Sequence, residues 1–335
     1  MKVVSVITIV VLLCFPIAHA QRPLTVVSWN VENLFDTIHD AGKNDYEFLP
    51  QGTHRWNSGR YWRKQRDVAR TIAALSDEGL PDIVALCEVE NDSCLRDLTR
   101  RTMLYNAGYR YVMTNSGDPR GIDVALVFHP ARFGLLSAKS ITVDKLEPSM
   151  SSTRDILYVK GLINKYANVE VNNHPSIDTL HVFVVHLPSK LGGKRSKRLR
   201  DKAAQQLWLA VDSIFGRVGD EANIVVMGDF NTTASDKIFR NSRLTVADPQ
   251  VSRQDKRRGD PSGTYRYRGI WQCIDHILLS PSLSRCRHEV MFGSLPWLLE
   301  QNDSRGGVQP RRTYLGPAYH GGISDHLPLL MELHL

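Results

Sequence analysis

Side chains suited to acid–base chemistry and metal binding recur beside apolar segments along this chain. Most follow a short run of β-branched and aliphatic residues, and the last ones stand just before or at the start of such a run. Carboxylates, carboxamides and imidazoles gathered at one place are what a hydrolase that uses a hard cation requires. The residues in question are Asn30, Glu32, Glu88, Glu90, His186, Asp229, Asn231, Asp275, Asp325 and His326.

The apolar runs that must position these side chains are typical of β-strands, with few helices between them. Helical spacing of apolar residues predicts one helix over 61–76 and another over 197–215. If the late strands run antiparallel to the early ones, all the polar motifs collect at one edge of a sheet. The predicted strands are 24–29, 83–86, 109–114, 124–128, 155–163, 180–185, 224–227, 274–279 and 327–333.

Length and composition exclude several classes of protein. The chain has 335 residues, of which 42% are hydrophobic and 23% charged, and this argues against disorder, collagen and a membrane bundle. The formal net charge of +7 is a weak indication of a polyanionic partner. Without repeats or a clear linker, we interpret residues 21–335 as one catalytic domain.

The first twenty residues have the pattern of a secretory signal peptide. Lys2 precedes an apolar run that ends at Ala18-His19-Ala20, a small-x-small cleavage pattern before Gln21. A lipoprotein reading through Cys14 fits poorly, because Leu13 stands where a small residue is needed. We therefore expect a secreted or periplasmic protein with no stable membrane insertion.

Export allows disulfides among the four remaining cysteines. Pairing between sequence neighbours, Cys87 with Cys94 and Cys273 with Cys286, is the favoured one of three connectivities. The chain contains no CxxC pair, so a structural zinc site is not expected. It also contains no GxSxG, HExxH or GxxxxGK[ST] motif.

Five motifs, taken together, resemble the endonuclease/exonuclease/phosphatase superfamily. They occur in the family's order and span about residues 24–333. The resemblance implies a four-layer α/β (α+β) sandwich like deoxyribonuclease I, with two packed mixed sheets flanked by helices. It also implies hydrolysis of phosphoesters with Mg²⁺, or with Mn²⁺ in its place. The motifs are SWNVENLF (28–35), LCEV (86–89), GDFN (228–231), IDHI (274–277) and SDHLPL (324–329).

Three of these residues are the candidate metal ligands. Mg²⁺ prefers one or two carboxylates and several waters, and Glu88 at the end of an apolar strand is the best candidate, in the role that its motif implies. Asn30 is a second ligand or a residue of the metal's surroundings, and Asp325 is free to contact the metal region. Glu32 is assigned to the outer shell.

The candidate catalytic residues are the pair Asp229 and Asn231, the pair Asp275 and His326, and His186. Two residues apart on an extended chain, Asp229 and Asn231 would face one phosphorus centre; an Asx turn is the alternative. The resemblance implies that Asp229 positions or deprotonates the attacking water and that Asn231 binds transition-state oxygens. His326 is expected to donate to a phosphoryl oxygen or act as a base, with Asp275 raising its pKa if the two strands pair.

His186 discriminates within the superfamily. Abasic-site endonucleases carry Asn at this point, whereas deoxyribonuclease I and the sphingomyelinases carry His, so His186 favours the chemistry of the latter branch. Such a histidine needs a carboxylate, and Asp123 is the expected partner, in the outer shell. Arg154 resembles a family arginine that contacts phosphate. His276 stands where relatives often have Tyr, and no role is assigned to it.

The basic stretch after His186 is the main indication of a substrate. Residues 190–202 hold seven cations against one acid, and Lys190, Lys194 and Arg195 begin it beside the predicted site. Such a run binds backbone phosphates without sequence specificity, which favours nucleic acid as substrate and a nuclease of low sequence specificity. The alternative is a phosphomonoesterase or phospholipid-type phosphodiesterase acting on inositol phosphates or sphingomyelin. A non-catalytic binding protein on the same fold is the third reading. No protein partner is inferable.

Overall fold

The computed structural model describes residues 22–77, 79–148, 151–164, 177–240, 242–251, 260–302 and 304–335. The signal peptide expected over residues 1–20 lies outside these ranges and stays a prediction, as does the assignment of 21–335 to a single domain. No helix in the described ranges is long and apolar enough to cross a membrane.

Two six-stranded mixed sheets form the centre of the fold. The first has the spatial order β13-β18-β1-β2-β4-β3, and β2 runs parallel to β1 while β18 runs antiparallel to it. Its strands are β1 (Leu24–Leu34), β2 (Ile83–Val89), β3 (Arg110–Met113), β4 (Asp123–Phe128), β13 (His288–Phe292) and β18 (Leu329–Leu333).

The second sheet has the order β5-β6-β7-β8-β12-β9, with β7 parallel to β8 and β12 antiparallel to β8. Its strands are β5 (Phe133–Ile141), β6 (Ile156–Asn164), β7 (Ile177–His186), β8 (Asn223–Asp229), β9 (Thr245–Val246) and β12 (Asp275–Leu279). Small hairpins outside the two large sheets are formed, in the part of the chain described, by β10 (Tyr265–Tyr267) with β11 (Ile270–Gln272), β14 (Leu299–Gln301) with β15 (Val308–Pro310), and β16 (Tyr314–Leu315) with β17 (Ala318–Tyr319).

Helices cover the outer faces of the sheets. The longer ones are α1 (Ser58–Ala73), α2 (Asp92–Arg100) and α3 (Gly193–Val218), and α4 (Pro281–Ser284) is a single turn. The side chain of Asn57 caps α1 by accepting from the backbone N–H of Arg60, and Asn91 caps α2 in the same way. Short 3-10 turns span Tyr46–Phe48, Met103–Ala107, Lys190–Gly192, Lys237–Phe239 and Pro296–Leu298.

Three apolar layers hold these elements together. Between the sheets, Val26 of β1 shares a buried cluster with Val182 of β7 and Val225 of β8. The alternate residue Val27 points to the other face of its strand, where it joins the cluster that includes Ile72 of α1. A third cluster lies between α3 and the outer face of the second sheet. The four-layer α/β sandwich expected from the sequence is thereby confirmed.

The sequence-based boundaries differ from the structure in informative places. β1 and β2 extend further than predicted, to Leu34 and Val89, because their ends carry polar site residues that do not read as strand. The helix predicted over 197–215 is longer, spanning Gly193–Val218, because its first turn is basic and not apolar. β5 was missed, since it is an edge strand with mostly exposed residues and lacks a clean alternating pattern.

The expected local disulfides are wrong for the structure: all four described cysteines have free thiols. Cys87 lies in the core between the sheets, whereas Cys94 lies in the core beneath α1, on the other side of the first sheet. Cys273 and Cys286 each contact a nearby backbone carbonyl instead of one another. Closeness in sequence is a poor guide here, because a strand or turn separates the members of each pair.

Candidate active site

Asp229 lies at the centre of a buried polar cluster formed by the ends of several strands. Its Oδ2 accepts a hydrogen bond from the Asn30 carboxamide at 3.1 Å. The same oxygen lies 3.5 Å from His186 Nε2 and 4.0 Å from His326 Nε2. These residues come from the ends of β8, β1 and β7 and from the segment just before β18, so the motifs do meet at one edge of the sandwich. Their catalytic roles stay predictions.

The register of β12 on β8 explains how His326 is held. Asp275, the first residue of β12, is paired with Asp229, the last residue of β8. The Asp275 Oδ2 contacts His326 Nδ1 at 2.7 Å, and both side chains are almost fully buried. Burial by itself lowers the pKa of His326, but the carboxylates of Asp275, Asp325 and Asp229 outweigh it and hold that pKa well above the usual value. His326 is therefore an imidazolium at neutral pH, with Nε2 directed toward the centre of the site.

The two other titratable groups of the centre are shifted in ways that suit acid–base chemistry. Burial, and secondarily the charge of Asp275, raises the pKa of Asp229 to about 7. Burial lowers the pKa of His186 well below its usual value, and the nearby guanidinium groups of Arg154 and Arg120 lower it further. His186 is therefore neutral, and its Nδ1 has no hydrogen-bond partner among the described residues. A carboxylate with a pKa near 7 is suited to act as a general base at neutral pH.

A β-bulge places Glu88. The pairing of β2 with β4 shifts register between Cys87 and Val89, and Glu88 has a φ of 65°, in the left-handed region that β-strand residues avoid. Its Oε2 accepts from the backbone N–H of Asn33 at 2.9 Å, and its Oε1 lies 3.8 Å from His186 Nε2. The bulge therefore turns the carboxylate toward the site from a strand whose neighbouring residues face the core.

Backbone strain is concentrated at this edge. Non-glycine residues with positive φ in the described chain are few, and four of the six belong to the site motifs: Glu32, Asn33, Glu88 and Asn231. Such conformations cost on the order of 1–3 kcal/mol each and are retained where the fold compensates for them. The sequence motifs thus require unusual backbone geometry as well as particular side chains.

Glu32 lies behind the metal-binding candidates and is not exposed to solvent. Its Oε2 accepts from the backbone N–H of Thr313 at 2.7 Å, and Asn30 Oδ1 accepts from the backbone N–H of Glu32 at 3.0 Å. The ammonium group of Lys64, fully buried in α1, donates to the Glu32 carbonyl and to Thr313 Oγ1. Burial, followed by the charge of Asp325, raises the pKa of Glu32, and burial lowers that of Lys64. Glu32 and Lys64 thus hold the segments that carry Asn30 and Thr313 in place.

The donor set fits a hard divalent cation. Glu88 Oε1 faces the site, and its one polar contact among the described residues is His186 Nε2 at 3.8 Å. The Asn30 carboxamide oxygen and Asp325 are oxygen donors as well. Separately, ligand atoms of Asp229, Asp275 and His326 lie within 4.8 Å of one another. Oxygen ligands are those that Mg²⁺ and Mn²⁺ prefer. Asp325 also forms an ion pair with Arg312, and its Oδ1 lies 3.9 Å from His326 Nε2.

The expected geometry of the Asp229–Asn231 pair requires correction. β8 ends at Asp229, and Asn231 has a φ of 53°, so the two side chains do not share one side of an extended strand. The backbone N–H of Asn231 instead donates to Asp229 Oδ1 at 2.7 Å, which is the Asx turn considered as the alternative. This turn fixes the carboxylate so that Oδ2 faces the site. The Asn231 amide donates to the Leu187 carbonyl at 2.9 Å with one of its two hydrogens.

The expected pairing of His186 with Asp123 is not formed. The Asp123 carboxylate accepts from the Thr114 hydroxyl and from the backbone N–H of Ser116, and it organises the loop before β4. In the described part of the chain, the carboxylates near His186 are Glu88 and Asp229. The sequence shows that Asp123 begins a strand, but it does not show which loop the Asp123 side chain contacts.

The guanidinium group of Arg154 is fully engaged in contacts within the protein. Its guanidinium donates to the carbonyls of His186 and Leu187, at 3.2 and 3.0 Å, and to Asp118 Oδ2 at 3.1 Å. It is buried and holds the end of β7 in place, and a role in contacting phosphate stays a prediction. Lys190 is exposed in the 3-10 turn before α3, and Lys194 and Arg195 are exposed in the first turn of α3.

His276, to which no role was assigned, is satisfied within the fold. Its Nδ1 contacts Asp248 Oδ1 at 2.8 Å and its Nε2 contacts the Thr232 carbonyl at 2.8 Å. Tyr265 is the first residue of β10, which forms a hairpin with β11, and its ring packs against the His326 ring with the centroids 4.9 Å apart. Tyr265 thereby shields the charged imidazole.

Sequence reasoning missed three charged residues near the site, Lys64, Arg120 and Arg312. Lys64 had a signal, because it lies three residues after Tyr61 and four before Val68 on the buried face of α1. Arg120 and Arg312 lie in loops, where no periodicity reveals which way a side chain points.

Comparison with known proteins agrees with this geometry. The endonuclease/exonuclease/phosphatase family model matches residues 25–335. No curated protein matches the chain in sequence.

Solved structures share the fold at low identity. A mannosyl-6-phosphatase of Bacteroides thetaiotaomicron VPI-5482 is 16% identical, with a TM-score of 0.57 over 93% of this chain and 100% of that one. Humanized TDP2 of D. rerio is 15% identical, with a TM-score of 0.53 over 93% and 99%. The human Nocturnin catalytic domain, with bound sulfate anion, is 16% identical, with a TM-score of 0.54 over 94% and 95%.

The chain belongs to the endonuclease/exonuclease/phosphatase family. Membership identifies it as a phosphoesterase, and members of the family generally use divalent metals.

Proposed function

We propose that this chain is a divalent-metal-dependent phosphodiesterase, most specifically a nuclease of low sequence specificity. The supporting observation is the cationic turn directly after β7, whose last residue is His186. Lys190, Lys194 and Arg195 are exposed there, and none contacts a carboxylate among the described residues. Cations without a carboxylate partner beside a buried phosphoesterase site are suited to holding the phosphates that flank the scissile one.

Three other cations of the basic stretch are engaged within the protein. Lys197 pairs with Asp201 at 3.1 Å, and Arg200 is buried and donates to the Pro188 carbonyl at 2.9 Å. Lys202 pairs with Asp144 at 3.7 Å. Arg198 is exposed and, like Lys190, Lys194 and Arg195, has no carboxylate contact among the described residues, so four cations of the stretch are available to a polyanion.

The chemistry assigns a separate task to each residue. Ionised Asp229 takes the proton of the attacking water, and imidazolium His326, oriented by Asp275, donates to a non-bridging phosphoryl oxygen. Glu88, Asn30 and Asp325 would hold Mg²⁺ or Mn²⁺, which when bound neutralises phosphoryl charge. His186 is neutral and supplies a hydrogen bond at the edge of the same centre.

A second candidate function is hydrolysis of a compact phosphorylated substrate, as in the alternative of inositol phosphates. A pocket of about 260 Å³ beside Glu32 and Asn33 favours it, because a pocket of that size accepts a small group and not a duplex. Within the described ranges, no comparable pocket beside the site supports a lipid such as sphingomyelin.

The test is a substrate panel with Mg²⁺: plasmid DNA, single-stranded RNA, inositol phosphates and sphingomyelin. We expect cleavage of the nucleic acids, abolished by EDTA and by Glu88→Ala. Glu289→Ala is the matched control, because Glu289 is exposed on the edge strand β13. Cleavage that persists in both EDTA and Glu88→Ala would contradict the metal mechanism.

Other outcomes identify the alternatives. Hydrolysis of inositol phosphates or sphingomyelin without cleavage of nucleic acid would overturn the nuclease assignment. Binding of nucleic acid with no turnover in several divalent ions would indicate a non-catalytic protein. Export belongs to the same proposal, and N-terminal sequencing of the secreted or periplasmic protein should begin at Gln21.

A further inference from the structure

A small pocket adjoins the catalytic cluster on the side of Glu32 and Asn33. It encloses about 260 Å³, and its lining does not include Asp229 or His326. Asn33 connects the two, because its backbone N–H donates to Glu88 Oε2 at 2.9 Å. A substrate whose scissile phosphate lies at Asp229 and His326 could therefore place a second chemical group in this pocket.

Two arginines and two carboxylates line the pocket, namely Arg120, Arg312, Glu32 and Glu47. Both carboxylates have partners in the pocket wall: Glu32 Oε2 accepts from the backbone N–H of Thr313 at 2.7 Å, and Glu47 Oε2 lies 3.7 Å from His54 Nδ1. Asp118 is the carboxylate nearest to Arg120, at 3.7 Å, and it also pairs with Arg154 at 3.1 Å. One carboxylate thus serves two guanidinium groups, and the half-exposed Arg120 has no other carboxylate contact in the ranges described.

The arginine on the opposite wall is more firmly held. Arg312 pairs with Asp325, and the raised pKa of Arg312 reflects that partner. It therefore presents a fixed guanidinium edge, whereas Arg120 supplies the uncompensated charge.

The walls are rigid enough to form a defined site. Lys43 Nζ donates to the carbonyls of Ser116 and Asp118, at 2.7 and 3.1 Å, and fixes the loop that carries Arg120. The backbone N–H of Asn44 donates to the Pro119 carbonyl and joins the same two loops. Across the pocket, the rings of Phe48, His54 and Tyr314 form a column, with centroids 4.8 and 4.3 Å apart. A space of about 260 Å³ that is bounded on one side by these rings does not admit a second strand of nucleic acid.

We propose that this pocket binds a second anionic group of the substrate, a phosphate or a carboxylate, next to the scissile phosphoester. The inference rests on the proposed phosphoester hydrolysis and adds a substrate class to it, namely compact or terminal substrates that carry two anionic groups. A guanidinium fork matches the oxygens of a phosphate in geometry and charge. The second group can belong to a small bisphosphate or to the terminal phosphate of a short oligonucleotide, and both offer the same chemistry.

The experiment compares matched substrate pairs that differ in one anionic group. One pair is a hexose 6-phosphate and the corresponding 1,6-bisphosphate, and the other is thymidine dinucleotide without and with a 5′-phosphate. The readout is the ratio of kcat/KM within each pair. We expect the doubly charged member to be preferred by about 10- to 100-fold in at least one pair, the effect of one charged hydrogen-bonded contact.

The variant Arg120→Gln should reduce that ratio toward one. A ratio is informative because Arg120 also influences the pKa of His186, and that effect is common to both members of a pair. Arg120→Lys, which keeps the charge without the fork, should give an intermediate ratio. Arg110→Gln is the control, since Arg110 is exposed and pairs with Phe128 at the end of the sheet away from Asp123.

The possible results distinguish failure of the pocket assignment from failure of the proposed phosphoester hydrolysis. A ratio near one in both pairs with wild-type protein, or a preference that Arg120→Gln leaves intact, would overturn the pocket assignment while leaving phosphoester hydrolysis standing. Absence of turnover on every substrate, plasmid and RNA included, would overturn the proposed function and the pocket assignment with it. The pair in which the preference occurs tells whether the group is that of a small bisphosphate or of a chain end.

Discussion

Neutralising Asp275 should reveal whether His326 works as a cation. In Asp275→Asn the hydrogen bond to His326 Nδ1 can be kept through the amide oxygen, but the negative charge is lost. The backbone pairing of Asp275 with Asp229 does not depend on the side chain. The substitution therefore isolates an electrostatic effect within an intact strand pair.

The expected size follows from the geometry. Two unit charges 2.7 Å apart interact by about 6 kcal/mol at an effective dielectric constant of ~20. Because burial opposes the charged state of His326, only part of this is available in the transition state. A loss of roughly 3–5 kcal/mol corresponds to a fall in kcat/KM of about 10²- to 10⁴-fold.

The pH profile supplies the decisive measurement. Without Asp275, the largest of the charges that oppose the effect of burial is lost, so the pKa of His326 falls and a smaller fraction of the imidazole is charged at a given pH. The pKa of Asp229 falls too, because Asp275 is one of the charges that raise it. Activity of the variant should therefore recover in part at lower pH, and its optimum should move to acid relative to wild type.

Single-turnover rates on an oligonucleotide from pH 5 to pH 9, with melting curves to confirm folding, would measure this shift. A loss of equal size at every pH in a folded variant would refute the imidazolium role, as would an unchanged rate.

Two further predictions concern stability. Burial, together with the charges of Asp36 and Asp40, raises the pKa of Glu90 to about 9 from an ordinary value near 4.5. The folded state therefore binds the Glu90 proton more tightly than the unfolded state does, and the free energy of unfolding falls as the pH rises from about 4.5 to about 9. Urea denaturation at pH 5 and pH 8.5 should show that Glu90→Gln flattens this dependence and raises the free energy of unfolding at pH 8.5 by about 1–3 kcal/mol, and an unchanged pH dependence would contradict the assignment. At Gly228, where φ is +136° and a Cβ would lie 1.9 Å from a backbone carbonyl of β7, Gly228→Ala should cost roughly 3 kcal/mol or more. The helical Gly216→Ala, with open space around it, should be neutral or stabilising by about 1 kcal/mol, and equal melting temperatures for the two variants would argue against the clash.

The sequence predicts the layers and the convergence of motifs well, because both depend on strand polarity and periodicity. The antiparallel placement of the late strands follows once Asp275 and His326 are required to meet the earlier motifs. What the sequence does not reveal is local: the bulge that turns Glu88, the Asx turn at Asp229, and the partner of His186. These depend on left-handed backbone conformations and on loop side chains, for which residue type alone gives little direction.

The pairing of β1 with β18 has a consequence for when activity can arise. Trp29 Nε1 donates to the His326 carbonyl at 3.0 Å across a sequence separation of 297 residues, and Asn30 and His326 flank the same carboxylate. During synthesis, Asn30 is made early, but its neighbour in the site, His326, is made only when nearly the whole chain is complete. Long-range contacts of this kind form late in folding. A prematurely ended chain lacks His326 and therefore the imidazolium on which the proposed mechanism depends. Under that mechanism, the order of the strands alone keeps an incomplete chain inactive.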